Sequence, residues 1–192
     1  MDNKCSHSSG ITWADTKSRL AADRQRWKDQ SGGRSIGPIS LQPGFVAILL
    51  HRLSHYFYQR QNRVIARVLW HLNVLLTGAD IAPITSLGAG CLISHPAAVI
   101  FVGQAGERLT ILGPVGVGGG VSDLDIGAGP GLPVFGDGVT LGFGCGVLGP
   151  INIGSDVVIG HHCLVTADLE VGSVVSQAPS SVNVTARSAE IH

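Results

Sequence analysis

A six-residue period in the second half of the chain constrains the fold most. Stepping by six from Ile81 gives Leu87, Ile93, Val99, Ala105, Ile111 and Val117, and the same phase resumes with Phe135, Leu141, Val147, Ile153, Ile159, Val165 and Val171. Only Ala105 among these anchors is not bulky and apolar. Four residues after each anchor stands a small or medium residue, such as Cys91, Ala97, Cys145 or Cys163, and glycine often follows the anchor directly, as at Gly88, Gly142, Gly154 and Gly160. A repeat of this kind builds one short strand and one corner per six residues, with the anchors stacked inside a three-sided prism. Residues 79–176 are therefore expected to form a parallel β-helix of about five coils, in which 81–98 and 99–116 are two whole coils. Val117 and Phe135 lie one coil length apart, yet the positions in phase between them are Asp123 and Gly129, which make poor anchors. Residues 118–134, GGGVSDLDIGAGPGLPV, are read as a loop extruded from the prism, a place where function often resides.

Residues 1–78 follow different rules and are read as a helical domain. Thr12–Lys28 is polar with Trp13, Leu20 and Trp27 at helical spacing. Ser31–Gly37 reads as a loop. Phe45–Gln59 and Arg63–Leu76 carry apolar stripes, through Leu49, Leu53 and Tyr56 and then Val64, Val68, His71 and Leu75. His51, His55 and His71 are read as packed and hydrogen-bonded inside this bundle. Residues 177–192 form a tail.

Net charge is zero, and no cluster of Lys or Arg stands out, which argues against a nucleic-acid partner. The apolar run near Phe45–Leu50 is too short to span a bilayer, and the amino-terminal residues lack the order of a signal peptide, so a cytoplasmic protein with no membrane partner is expected. Cys91, Cys145 and Cys163 fall at inward positions of the repeat and are read as buried free thiols beside Cys5. His161, His162 and Cys163 adjoin, but with no third and fourth ligand in sight no metal site is assigned.

Several stretches resemble the serine O-acetyltransferases, a family of hexapeptide-repeat acyltransferases. GFVAILLHRLSHYFYQ resembles that family's GF-x-A-x-x-x-x-R-x-x-H helix, ADIAP its VDIHP, ISHPAAVIFVG its LDHATG-x-x-x-G, and VGVGGG its VTLGGTG. The resemblance implies a left-handed parallel β-helix with an N-terminal α-helical domain. It also implies acetyl-CoA as acyl donor, and a homotrimer, with two trimers pairing through the helical domains. His95 matches the histidine that acts as general base on the acceptor hydroxyl, and Asp80, fifteen residues earlier, matches the aspartate that orients it. The residue types suit the chemistry, because a hydroxyl needs a base with a pKa near 7 and the base needs a carboxylate on its far nitrogen. The donor is expected to run from Gly118 and Gly119 towards the C-terminal coils, past Gly142 and Gly160. Asp29, sixteen residues before Phe45, matches the aspartate that binds the acceptor's ammonium group.

The chain also departs from the family. The family's second acceptor-facing aspartate is Ser94 here. The Arg-His pair that meets the amino-acid carboxylate falls at Gly131 and Leu132, and residues 118–134 contain no Arg, His or Lys, their only charges being Asp123 and Asp125. The acceptor is therefore expected to be something other than free serine: a carboxylate-masked or carrier-bound amino acid, or another hydroxyl metabolite. Ordinary serine O-acetylation, N-acetylation and a non-catalytic scaffold are the alternatives. Arg52 and Arg108 are candidate replacement charges.

Overall fold

The computed structural model describes residues 11–31 and 38–177. Cys5, most of the Ser31–Gly37 loop and nearly all of the tail lie outside the described residues. Three α-helices, α1 (Trp13–Ser31), α2 (Pro43–Gln59) and α3 (Arg63–Thr77), precede fourteen short strands. The strands are β1 (Asp80–Ile81), β2 (Ser86–Leu87), β3 (Leu92–Ile93), β4 (Val99–Phe101), β5 (Gln104–Ala105), β6 (Thr110–Ile111), β7 (Val115–Gly118), β8 (Val134–Phe135), β9 (Thr140–Leu141), β10 (Gly146–Leu148), β11 (Asn152–Ile153), β12 (Val158–Ile159), β13 (Leu164–Val165) and β14 (Val174–Val175). Every third strand pairs in parallel up to β13, and β14 pairs with β12, which gives three sheets: β1-β4-β7-β10-β13, β2-β5-β8-β11 and β3-β6-β9-β12-β14. These are the faces of a left-handed prism of about five coils. Ile93, Ile111, Leu141 and Ile159 stack in one buried column, as the repeat predicts. Cys91, Cys145 and Cys163 are free and buried, and burial pushes the Cys91 thiol up to about 12.

The register departs from the predicted phase twice, each time by two residues. Ile81 stacks on Phe101, not on Val99, and Phe101 stacks on Val117. The corner between β3 and β4, Ser94–Ala98, is thus two residues longer than a regular one, and the next corner is two shorter, so 81–98 and 99–116 are not two equal coils. Val99 is buried as well, because it and Phe101 point inward on either side of an outward Ile100. In the last coil Ile153 meets Leu169, Val175 meets Ile159, and Val171 is exposed, so Val171 is not an anchor.

The helices pack differently from their apolar spacing. The buried face of α2 is Ala47, Ile48, His51, Arg52, Ser54 and His55, while Leu49, Leu53 and Tyr56 are only half-buried. On α3 the buried residues are Ala66, Asn73 and Thr77, and Val64, Val68, His71 and Leu75 are all exposed. Small and polar groups let the two helices approach closely and satisfy each other: Ser54 Oγ donates to Ala66 O at 2.7 Å and Asn73 Nδ2 to Ala47 O at 3.0 Å. Gly44 is required at the start of α2, because a Cβ there would collide with the Ile93 carbonyl of the prism.

A buried ion pair fastens the helices to the first coil. Arg52 Nε lies 3.0 Å from Asp23 Oδ2, with the side chains 4% and 0% exposed. Arg52 Nη2 also donates to Asp23 Oδ1 at 3.1 Å, further Arg52 donors go to the carbonyls of Leu87 and Gly88, and Asp23 Oδ1 accepts the Cys91 amide at 2.7 Å. Arg19 donates to Leu87 O at 2.9 Å, and Arg26 to Leu109 O at 3.1 Å. Removing one partner strands a buried charge, which costs roughly 3–5 kcal/mol. Asp23→Ala is expected to lower unfolding stability by about that much in urea titrations, and a loss below about 1 kcal/mol would contradict the clamp.

His51 is buried, and among the described residues neither ring nitrogen is hydrogen-bonded; it stacks on His55 at 5.9 Å, and His55 Nδ1 lies 2.8 Å from Pro83 O. Burial first, then His55 and Arg52, hold the His51 pKa well below its ordinary value, and burial lowers that of His55 against the opposing Pro83 contact, with Arg19 and Arg52 adding to the depression. Both rings resist protonation in the folded chain and accept protons in the unfolded chain below about pH 6.5. Stability should therefore hold above that pH and fall as pH drops below it, by up to about 1.4 kcal/mol per pH unit for each histidine. Urea midpoints between pH 7.5 and 5.5 test this, and His51→Leu should flatten the slope.

Candidate functional site

Asp80 opens β1 on the outer side of the first sheet, immediately after the cap of α3. Its Oδ1 accepts the indole N–H of Trp70 at 2.8 Å, and its Oδ2 has no hydrogen bond among the described residues. Trp70 had no role in the sequence reading; a tryptophan ten residues before a matched aspartate gives no signal without the α3–β1 geometry. His95 stands on the lengthened corner between β3 and β4, exposed, with no side-chain hydrogen bond among the described residues. That corner folds back over the end of α3: the Ala98 amide donates to Gly78 O at 3.0 Å. Ala98 adopts a left-handed φ of 58°, which tightens the turn. Asp80 and His95 thus flank one junction, where α3 passes into the prism, without being hydrogen-bonded to each other. Ser94 lies at the same corner, half-buried, its amide bonded to Ile111 O at 2.8 Å.

The corners after β3, β6, β9 and β12 follow one another down a single edge of the prism. His95, Gly142 and Gly160 therefore share that edge. A Cβ at Gly142 would strike the backbone of Gly160 and Ile159, and one at Gly160 would strike Val175 O, so both glycines let the coils stack. Gly118 ends β7 on the adjoining face and has open space where a side chain would project, as has Gly116. Gly119 begins the extruded loop, with Leu132 Cδ2 3.9 Å from where its Cβ would lie, so Leu132 closes the loop's base. Gly116 and Gly118 thus leave an open strip on the face beside the edge that carries His95.

The loop leaves the prism between β7 and β8, as its sequence predicts. Asp125 Oδ1 accepts the amides of Gly127 at 2.8 Å and Gly129 at 3.1 Å, so this carboxylate braces the loop rather than facing an acceptor freely. Asp123 is exposed. Asp29 is exposed on α1, where Gln25 Nε2 donates to it at 2.8 Å in a recess shared with Gly90 and Arg108; neither Asp80 nor His95 lines that recess. Arg52 is committed to Asp23 and cannot replace the family's carboxylate-binding arginine. His71 is exposed, stacked on Trp70 at 5.3 Å, and not packed inside the bundle. His161 Nδ1 accepts the Phe143 amide at 2.9 Å. Among the described residues no group of three or more His, Cys, Asp or Glu could hold a metal ion, and no helix is long and apolar enough to cross a membrane.

No family model matches the sequence. Similar chains are nonetheless found among known proteins. A serine acetyltransferase of Mycobacterium tuberculosis is 34% identical over 159 residues, covering 82% of this chain and 68% of the relative. One from Helicobacter pylori is 36% identical over 135 residues, covering 69% and 77%. The crystal structure of Neisseria gonorrhoeae serine acetyltransferase in complex with serine superposes with a TM-score of 0.76 at 27% identity, covering 86% of this chain and 68% of that one. The chain spans about two thirds of the length of such relatives. Identity at this level over most of the chain, on a common fold, shows that it belongs to the serine acetyltransferase family of acetyl-CoA-dependent acyltransferases.

Proposed function

We propose that the chain transfers an acetyl group from acetyl-CoA to an acceptor hydroxyl, with His95 as general base and Asp80 as its orienting carboxylate. The observation that carries this reading is the junction itself: a carboxylate fixed through one oxygen by Trp70, its other oxygen without a hydrogen bond among the described residues, at the same junction as an exposed histidine on a corner lengthened by two residues. The imidazole would take the hydroxyl proton as the oxygen bonds to the thioester carbonyl carbon. Collapse of the tetrahedral adduct then breaks the C–S bond, and the imidazolium returns the proton to the sulfur, releasing CoA. Asp80 would hold the ring tautomer and stabilise the imidazolium. Gly118, Gly119, Gly142 and Gly160 mark the path of the donor. A homotrimer, pairing into a dimer of trimers, suits the exposed Ile100, Leu148 and Leu164 on the outer face of the first sheet.

The acceptor in this reading is not free serine. Residues 118–134 carry no cation, and their Asp125 is spent on the loop's own amides. Asp29, Ser94, Asp123 and Leu132 are left as the acceptor-side residues, with Asp29 near an edge away from Asp80. A second reading, ordinary serine O-acetylation, is favoured by the curated relatives' names and by the serine in the gonococcal structure.

His95→Ala should lower kcat by roughly two to four orders of magnitude while folding and CoA affinity persist, the range for losing a general base. Trp70→Phe, which removes only the N–H to Asp80, should lower kcat about three- to tenfold with KM for acetyl-CoA unchanged. Near-native turnover by His95→Ala would refute the assignment.

Two charge-assisted bonds lost from carboxylate recognition are worth about 3–6 kcal/mol, or roughly two to four powers of ten in specificity. CoA release should therefore be far slower with L-serine than with L-serine amide or a carrier-tethered serine at equal concentration. Efficient use of L-serine, with the amide slower, would establish the second reading instead.

A further inference from the structure

A groove of about 630 Å³ opens between α3 and the segment that follows β1. Arg63, Arg67, Trp70 and His71 line it from α3, and Ala82–Ile84 from the prism. Arg63, Arg67 and Trp70 stand at i, i+4 and i+7, one stripe of the helix. Trp70 is the residue whose indole holds Asp80, so the groove adjoins the proposed dyad through that indole, although neither Asp80 nor His95 lines it. No acidic side chain lines the groove, and the sequence has no Asp or Glu between Asp29 and Asp80, so apart from Asp80, which Trp70 holds, no carboxylate of these helices faces the arginines. Two arginines one turn apart repel each other unless an anion bridges them. The Arg63 guanidinium rests 6.0 Å from the Tyr58 ring, which holds it at the groove wall. Between the cations lie exposed carbon surfaces, Val64, Val68 and Ile84.

We propose that this groove binds the acyl acceptor, a hydroxyl compound with an apolar body and a phosphate or carboxylate set apart from the reacting oxygen. The proposal rests on the assignment of Asp80 and His95 to acyl transfer. Along α3, Arg67 lies about 4.5 Å and Arg63 about 10 Å from Trp70, at roughly 1.5 Å of rise per residue. An anion roughly 5–10 Å from the hydroxyl would reach the arginines with its oxygen at the Asp80 end, whereas the carboxylate of free serine is held too close to its hydroxyl to span that interval. The cations absent from loop 118–134 are thereby replaced from another element, on the side of Asp80 where a longer acceptor has room.

The probes are 6-hydroxyhexyl phosphate and 6-hydroxyhexanoate, with 1-hexanol as neutral control, titrated calorimetrically into the full chain carrying His95→Ala so that no turnover intervenes. At least one anion should bind and hexanol should not, and whichever of the two binds more tightly identifies the acidic group. Arg67→Gln should weaken that binding about tenfold and the Arg63→Gln/Arg67→Gln pair about a hundredfold, as expected for charge-assisted contacts. Arg60→Gln, outside the groove, should change nothing. With His95 present, the double variant should raise KM for the bound probe and leave kcat within about twofold. Unchanged affinity in the double variant, or hexanol binding as tightly as the anions, overturns the groove while leaving CoA release from other hydroxyl acceptors as evidence for the dyad. Arginine-dependent binding with no CoA release from any acceptor overturns the acceptor assignment and the dyad together, and leaves a bare anion site.

Discussion

The Asp23–Arg52 pair is the constraint on which the rest of the molecule depends. A β-helix is a stack in which each coil supplies the hydrogen-bond partners of the next, and its first coil has no coil above it. Here helices α1 and α2 take that place. Arg52 spreads its donors over Asp23 and the carbonyls of Leu87 and Gly88, and Asp23 in turn accepts the Cys91 amide. Arg19 and Arg26 reach the same corner and the coil beneath it. A cluster of polar groups thus closes the end of an apolar prism, and it works because Arg52 and both carboxylate oxygens of Asp23 find partners, since buried charge without partners is costly. By fixing α2, the pair also fixes α3 and the direction from which Trp70 meets Asp80.

The prism was legible in the sequence because its anchors face one another through the core, and a column such as Ile93–Ile111–Leu141–Ile159 leaves no other way to bury those side chains. The two register shifts were not legible. Val99 and Phe101 are both apolar and two apart, as are Leu169 and Val171, so a period-six count cannot tell which of each pair stacks on the preceding coil. Pairing with Ile81 and Ile153 decides it. One shift lengthens the corner that carries His95. The sequence therefore named the histidine through its resemblance to a family but could not show that it stands on an irregular corner.

The helical domain was harder to read, for a physical reason. Apolar spacing predicts a buried stripe only when bulky groups fill the interface, and α2 and α3 approach through Ala47, Ser54, Ala66 and Asn73 instead. The bulky residues of α3 are displaced to its outer side, where Val64 is 75% and Leu75 79% exposed. Asp23 and Arg52 are 29 residues apart and on different helices, so nothing in the sequence paired them, and Arg52 was read instead as a candidate replacement charge. The Trp70–Asp80 bond is hidden in the same way, since it exists only because α3 caps at Gly78 and turns straight into β1.

These misreadings bear on how the site divides its work. The residues of the proposed dyad belong to the prism, whose geometry is set by stacking and tolerates little change. The residues around them belong to the extruded loop and to the outer face of α3, whose charged side chains Asp123, Asp125, Arg63 and Arg67 are exposed. Charge lost from residues 118–134 and charge present at Arg63 and Arg67 cost the fold almost nothing either way, since exposed groups contribute little to stability. Acceptor recognition can therefore move from one side of Asp80 to the other while the carboxylate, the histidine and the glycine edge stay where the coils put them. That separation explains how a chain can keep the fold of its relatives and the matched positions Asp80 and His95 while presenting a different charge pattern to the molecule that receives the acyl group.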